Sequence, residues 1–108
     1  MTTHGRLPPG LTCYKRTAQF TRETVPAGLL AEHKTKMGVW GLLRVTGGRI
    51  RYCIEHPPLI VDVAAGHAAV IEPQILHHVE LLDPDSSFFV EFYRAETEHE
   101  ELRDEHSN

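Results

Sequence analysis

The sequence has few cysteines and no closely spaced cysteine pair. Its two cysteines, Cys13 and Cys53, lie far apart in the chain, and neither belongs to a C-x-x-C motif. This scarcity argues against a disulfide framework and against a cysteine-based zinc site. We expect both residues to be reduced, partly buried thiols.

Long apolar runs are also missing. The longest, around Leu59–Val63, is far too short to cross a bilayer. The first residues lack the apolar core of a signal peptide. We therefore expect a cytoplasmic protein without membrane contact.

Positive charge is in the minority. The chain has 11 Lys and Arg against 15 Asp and Glu, which gives a formal net charge of -4, and its pI is near 6.0. A composition of this kind provides no basic face, so nucleic acid is not an expected partner.

The length of 108 residues suits one domain and leaves no room for a second, such as a nucleotide-binding unit. Hydrophobic residues make up 41% and charged residues 24%, as in ordinary globular chains. The eight histidines are more than such a chain usually contains. Their positions are therefore the most informative feature of the composition.

Short β-type segments separated by turns fill most of the chain. Two of them, Gly38–Val45 and Arg49–Ile54, flank Thr46-Gly47-Gly48 and so predict a hairpin. Further strands are predicted at Leu11–Phe20, Leu59–Val63, Ala68–Ile71, His77–Leu82 and Phe88–Arg94. Several short strands without a long helix predict an all-β, single-domain sandwich or barrel.

The two ends of the chain differ from this pattern. Residues 1–10 are polar and rich in Gly and Pro, which predicts a flexible N-terminal arm. Residues 95–108 consist mainly of Glu, Asp, Arg and His, which predicts a solvated, charged C-terminal tail. The folded domain is therefore predicted over residues 11–94.

Two groups of residues are spaced like the two metal-binding motifs of cupins. In the first, His33 occupies a ligand histidine position and Gly47 the closing glycine, while Thr35 and Trp40 stand where a histidine and a glutamate are usual. In the second, Gly66 opens the motif and His77 falls on the ligand histidine. Within it, Glu72, Gln74 and Leu81 replace the usual proline, glycine and asparagine.

Longer segments resemble one cupin family in particular. The motifs Y-K-R-T, V-P-A-G-L, H-x-T-K-x-G-x-W-G and E-P-x-x-x-H-H-V-E are together similar to the TehB/YeaR-like cupin domain. This resemblance extends over most of the chain. It implies a cupin jelly-roll barrel (a double-stranded β-helix) with a metal site, and a link to tellurite resistance. That domain also precedes a methyltransferase in some proteins, but none is expected within these 108 residues.

His33 and His77 are the main candidate metal ligands, because imidazole binds most divalent transition metals. Hydrogen-bonded interior histidines are the alternative for both. Glu72 is a candidate third ligand or general base, and equally a turn residue that accepts backbone hydrogen bonds. His78 is a weaker ligand candidate, since a regular strand points it away from His77.

Thr35 and Trp40 are expected to line the cavity beside the metal. Thr35 can hydrogen-bond a bound ligand, and Trp40 would supply a flat apolar wall, although ordinary core packing also accounts for it. Glu91 is expected to be a charge on the sheet surface.

The function that this pattern favours is binding of a small polar ligand or oxyanion at an under-coordinated divalent metal, in a stress or tellurite-type response. Zinc is the first choice of metal, with iron, nickel or manganese as alternatives. Two other functions stay open: a metal-dependent dioxygenase or hydrolase, and a metal-free interaction barrel. A homodimer is expected, with Leu11–Phe20 as the contact strand.

Overall fold

The computed structural model describes residues 3–95. Their fold is all-β, with nine strands and one short helix in a single domain. The strands are β1 Thr3–His4, β2 Leu11–Arg16, β3 Phe20–Thr21, β4 Trp40–Gly47, β5 Arg49–Ile54, β6 Leu59–Ala64, β7 Ala68–Ile71, β8 His77–Leu81 and β9 Ser87–Ala95, and the helix α1 is Ala27–Leu30. The predicted tail beyond Ala95 lies outside the described residues.

The strands form two sheets. The first sheet has the order β1-β7-β4-β9-β2, with β3 also paired to β9, and the second has the order β6-β5-β8. All neighbours in these sheets are antiparallel except β1 and β7. No ladder between the described strands joins the two sheets, so they do not close into the single barrel that the cupin motifs imply.

The main core lies between the two sheets. Alternate residues of each strand face inward, as the period of two requires. The first sheet contributes Leu43, Val45, Ala69, Ile71, Phe88 and Val90, and the second contributes Ile50, Tyr52, Val63 and Val79. The residues between them in sequence form the outer faces of the sheets, where the charged side chains are found.

The predicted hairpin at Thr46-Gly47-Gly48 is instead a corner between the sheets. β4 pairs with β7 and β9, whereas β5 pairs with β6 and β8. Gly48 has a φ of 58°, and a Cβ there would lie 2.7 Å from the Oγ atom of Ser86. Only glycine combines this left-handed backbone with such a close approach, which lets the chain pass from one sheet to the other.

The predicted strand Leu11–Phe20 is divided into β2 and β3, which both pair with β9. Between them, Thr17 forms two hydrogen bonds with Val90. The Thr17 N–H donates to the Val90 carbonyl (2.9 Å), and Thr17 Oγ1 accepts from the Val90 N–H (3.0 Å). A side chain thus replaces a backbone partner, which interrupts the ladder.

Part of the predicted N-terminal arm is paired with the domain. Thr3–His4 forms a parallel pair with Ala68–Ala69 of β7. Leu7 packs on the outer face of the first sheet, against a small cluster that contains Leu42, Val70 and Trp40. No helix among residues 3–95 is long and apolar enough to span a membrane.

Candidate functional site

His33 and His77 are brought together by a two-residue β-bridge. The N–H of each donates to the carbonyl of the other at 2.9 Å. His77 is the first residue of β8, so this bridge fixes the loop around His33 against the edge of the second sheet. The two rings are 4.2 Å apart between centroids, at an interplanar angle of 64°.

Each of the two imidazoles is oriented by a backbone carbonyl two residues earlier. His33 Nδ1 lies 3.0 Å from the Ala31 oxygen, and His77 Nδ1 lies 2.8 Å from the Ile75 oxygen. A carbonyl only accepts, so Nδ1 carries the proton in both rings. In the neutral rings Nε2 therefore holds the free lone pair. A histidine that coordinates a metal through Nε2 requires this tautomer.

His77 is buried and uncharged at neutral pH. Its residue is 2% exposed, and its ring packs against those of His33 and Tyr52. Burial lowers the pKa of His77 to about 4, and the hydrogen bond to Ile75 only partly opposes this. His33 is half-buried and lies nearer to solvent.

Both histidines line a cavity of about 370 Å³ between the sheet ends. The rest of its wall is formed by Tyr14, Lys15, Leu29, Lys34, Thr35, Lys36, Val39, Ile71, Val90 and Phe92. All three lysines of the 108-residue chain therefore line this one cavity. The sequence analysis did not single out Lys34 and Lys36, although both lie within the H-x-T-K motif segment that starts at His33.

Thr35 holds the loop that forms one side of this cavity. Its hydroxyl donates to the Val39 carbonyl (2.8 Å), and its own carbonyl accepts from the Gln74 N–H (3.1 Å). Gln74 has a φ of 62°, and no other non-glycine residue among those described has a positive φ. The cupin motif has glycine at this position, and glycine is the residue that adopts a positive φ most readily.

Glu72 does not join the two histidines. Together with Val70 and Tyr52 it lines a different cavity, of about 200 Å³. The alternation of β7 accounts for this, because Ile71 faces the histidine cavity and Glu72 follows on the other side. Within residues 3–95, no group of three closely spaced His, Cys, Asp or Glu residues includes Glu72.

Tyr52 lies between these two cavities. Its ring contacts that of His77, with 5.4 Å between centroids. Its buried hydroxyl has no hydrogen-bond partner among the described residues. Burial, followed by the charge of Glu72, raises the pKa of Tyr52 to about 12, so the phenol stays protonated.

Trp40 is not part of the histidine cavity. It packs on the outer face of the first sheet, with Leu42 and Tyr93. The preceding residue, Val39, lines the cavity instead. One step along the chain reverses the side to which a strand residue points, which accounts for the difference.

His78 faces the outside of the second sheet, as strand alternation predicts. Its Nε2 lies 3.1 Å from Glu80 Oε2. The thiol of Cys53 also approaches this carboxylate, with 3.9 Å from Sγ to Oε2. Burial, and then Glu80, raise the pKa of the Cys53 thiol.

A family model described as the TehB-like domain matches residues 15–90 of the chain. A Haemophilus influenzae protein named "Probable S-adenosyl-L-methionine-dependent methyltransferase TehB" is 32% identical over 88 residues, which are 77% of this chain and 31% of that protein. The chain thus spans about a third of the length of that relative. The Escherichia coli (strain K12) "Uncharacterized protein YeaR" is 28% identical over 99 residues, 83% of either chain.

Two crystal structures have similar folds. One, of a protein from Escherichia coli (strain K12), has a TM-score of 0.79 and 26% identity, and the match covers 83% of this chain and 96% of that one. The other, TehB from Haemophilus influenzae, has a TM-score of 0.73 and 29% identity, covering 81% of this chain and 32% of that one. With the family match over residues 15–90, these likenesses establish that the chain belongs to the TehB-like domain family.

Proposed function

We propose that the chain is a small metal-binding cupin that takes a small polar ligand or oxyanion at a divalent metal held by His33 and His77. The observation that carries the proposal is the matched orientation of the two rings. In each ring the Nδ1 proton is hydrogen-bonded to a backbone carbonyl, so the lone pair of Nε2 is available to coordinate a metal. Two histidines of this kind on one cavity wall suit a metal better than a purely structural role.

The cupin assignment is supported by the positions that match the motifs. Gly48 and the preceding Gly47 form the corner between facing sheets, and Gln74, at the position of the motif glycine, has the positive φ that glycine adopts readily. His33 and His77, far apart in sequence, meet at the bridge. An incompletely closed cupin barrel is consistent with two sheets around one core.

The donor set fits a metal only in part, because no third His, Cys, Asp or Glu of residues 3–95 forms a close group with the two histidines. A divalent metal held there would supply a positive charge and several open coordination positions for an incoming ligand. Zinc is proposed first because imidazole suits it, with iron, nickel and manganese as alternatives. The proposal does not include Glu72, whose side chain lines the other cavity.

The charge around the cavity supports an anionic ligand. The chain has a net charge of -4, yet its three lysines are gathered at this cavity. A local excess of positive charge on an acidic protein concentrates anions at that point. Apolar side chains such as Ile71 and Phe92 form the inner wall, which strengthens the electrostatic interactions at the site. A role in the response to tellurite or another oxyanion, within the cytoplasm, is part of this proposal.

The experiment that tests the proposal is the metal content of protein purified without an affinity tag. His33→Ala and His77→Ala should each lose most of the metal bound at this site. His4→Ala is the matched control, since His4 is exposed on β1 and does not line the cavity that His33 and His77 share. Full metal content in both cavity variants would refute the site.

One observation favours a second role, self-association. β2 is an edge strand of the first sheet, and residues 12–16 are all exposed. An open edge of this kind offers unpaired backbone groups to another strand. We propose that two copies pair through β2, whether or not metal is bound.

A further inference from the structure

The outer face of the second sheet carries a group of side chains that the histidine cavity does not use. Cys53, His78 and Glu80 each offer one ligand atom, and these three atoms all lie within 4.8 Å of one another. His77, whose ring contacts the core residue Tyr52, faces the other side of the same sheet. No other group of three His, Cys, Asp or Glu residues among residues 3–95 meets so closely.

The sheet register brings the three together. Cys53 of β5 stands directly opposite His78 of β8, and Glu80 follows two residues later on the same face. Cross-strand partners and their diagonal neighbours are the residues whose side chains meet on a sheet. Sequence motifs do not identify this group, because its members come from two strands and form no short motif.

The distances between the donor atoms suit a tetrahedral ion. His78 Nε2 and Glu80 Oε2 are 3.1 Å apart, and Cys53 Sγ and Glu80 Oε2 are 3.9 Å apart. Zinc bonds of about 2.0–2.3 Å at tetrahedral angles place neighbouring ligand atoms roughly 3.3–3.7 Å apart. All three ligand atoms lie within 4.8 Å of one another, so rotations of the side chains would complete such a geometry.

One positive charge lies beside the group. Arg51 stands opposite Glu80 across the β5–β8 pair, but its guanidinium is paired with Asp62 through two hydrogen bonds of 2.8 and 3.1 Å. Glu80 is negative, and a thiol that coordinates a metal gives up its proton. Together these two ligands would balance the charge of a divalent ion.

A catalytic cysteine is a poorer interpretation of the same residues. Burial holds the Cys53 thiol in its protonated form, whereas a nucleophilic cysteine needs a lowered pKa. The side chains of His78 and Glu80 are 24% and 48% exposed, so an ion can enter from solvent.

We propose that Cys53, His78 and Glu80 form a second metal site, on the outer face of the second sheet, for Zn²⁺ or a similar divalent ion. The three protein ligands leave a fourth position open to solvent or a partner. The site is independent of the one at His33 and His77.

Titration of the metal-free full chain with Co²⁺ tests the site, because a thiolate ligand gives an intense near-ultraviolet charge-transfer band that imidazole does not. The band should disappear in Cys53→Ser, and in His33→Ala, which lacks the cavity site, it should saturate at one equivalent of Co²⁺. It should persist in Cys13→Ser, the matched cysteine control, and in His33→Ala.

Glu80→Gln and His78→Gln change partly exposed side chains, so they test the site even if Cys53→Ser folds poorly. Each should weaken the Co²⁺ affinity measured from this band by roughly tenfold or more. Loss of a residue that only hydrogen-bonds to a metal ligand already has an effect of this size, and loss of the ligand itself should cost at least as much. Absence of the band in the wild type, its persistence in Cys53→Ser, or unchanged affinity in both Gln variants would overturn the proposal.

Discussion

Glu91 accepts a 2.7 Å hydrogen bond from Nε of Arg44, its diagonal neighbour on the adjacent strand β4, although Glu91 is only 4% exposed. Arg16 and Tyr93 donate to the same carboxylate at 2.7 and 3.1 Å. Burial by itself would raise the pKa of Glu91, but the bonds from Arg44, Arg16 and Tyr93 outweigh it and hold that pKa below its ordinary value. The sequence predicted a charge on the sheet surface at Glu91, and this was wrong about exposure, because Arg44 and Arg16 cover the carboxylate.

The first prediction concerns acid stability. Because the pKa of Glu91 is lowered on folding, its stabilising contribution is present above the ordinary carboxyl pKa of about 4.3 and is lost as the pH falls through the folded-state value. Glu91→Gln should destabilise the protein at pH 7 by about 1–3 kcal/mol and reduce the loss of stability on acidification. Urea unfolding between neutral and acidic pH measures both effects.

Asp62→Asn, which removes an exposed ion pair, is the control and should lower the free energy of unfolding by less. If both variants lost the same free energy of unfolding, burial would not be what makes the Glu91 interactions stronger.

The second prediction concerns Gln74, whose φ of 62° is unfavourable for a residue with a Cβ. The left-handed conformation costs a non-glycine residue about 1–2 kcal/mol, and glycine recovers it at a cost in unfolded-state entropy of about 0.4–1 kcal/mol. Gln74→Gly should therefore stabilise the protein by about 0.5–1 kcal/mol in chemical denaturation. The chain's other glutamine, Gln19, has no positive φ. Gln19→Gly should destabilise instead, and the same sign in both variants would contradict the argument.

Much of the strand pattern follows from local sequence. The bounds of β5 and β7 are those that alternation and apolar content predict, and β9 extends one residue beyond each predicted end. These segments are determined locally, because turn residues and strand formers lie next to each other in the chain. All-β architecture follows from the same signals.

Pairing partners are harder to predict than strands. The two glycines after Thr46 indicate a turn, but only the contact with Ser86, far along the chain, makes the turn a corner between sheets. The interruption of the first long strand at Thr17 likewise depends on Val90. Such features arise from long-range packing, which a local pattern does not contain.

The candidate site shows the same division. The motif spacing singled out His33 and His77, which the bridge joins. It also grouped Glu72 and Trp40 with them, and both side chains lie elsewhere. A motif position fixes where a residue lies along the strand, but a shift of one residue moves its side chain to the other face. The composition shows only that the chain has three lysines. It does not show that all three line one cavity.

The third prediction concerns self-association through β2. β2 already carries Lys15 and Arg16 towards its end, and in an antiparallel pair of two β2 strands that end would face Thr12 of the other copy. A lysine at position 12 would therefore add repulsion between like charges across the pair. Thr12→Lys should shift the protein to a monomer at micromolar concentration while leaving its far-ultraviolet circular dichroism unchanged. Ala65→Lys adds the same charge at an exposed turn after β6 and should leave the association state unaltered. Multi-angle light scattering measures it, and a wild-type monomer would rule out the dimer.

The fourth prediction is stabilisation by metal at the histidine cavity. Ligand binding to the folded state adds about 2.7 kcal/mol when free metal is 100 times its dissociation constant. In a Cys53→Ser background, which removes the proposed outer site, Zn²⁺ should raise Tm and a chelator should reverse the rise. Adding His77→Ala or His33→Ala to that background should abolish the shift, whereas adding His4→Ala should not. A rise that survives loss of both cavity histidines would place the metal elsewhere.

The last prediction tests the anion preference of the cavity. Lys34 and Lys36 are exposed and flank Thr35 on the loop that forms one cavity wall. Each such charge contributes about 0.2–1 kcal/mol to binding an anion, so the double variant Lys34→Gln/Lys36→Gln should bind tellurite about two- to thirtyfold more weakly. The loss should shrink as salt rises, because exposed charges are screened. Calorimetric titration of zinc-loaded protein with tellurite, and with sulfate as a second oxyanion, measures the affinity. Arg22→Gln is the matched control, since Arg22 is exposed and does not line the cavity. If the arginine variant weakens binding as much as the lysine pair, the effect comes from net charge and the cavity has no particular affinity for anions.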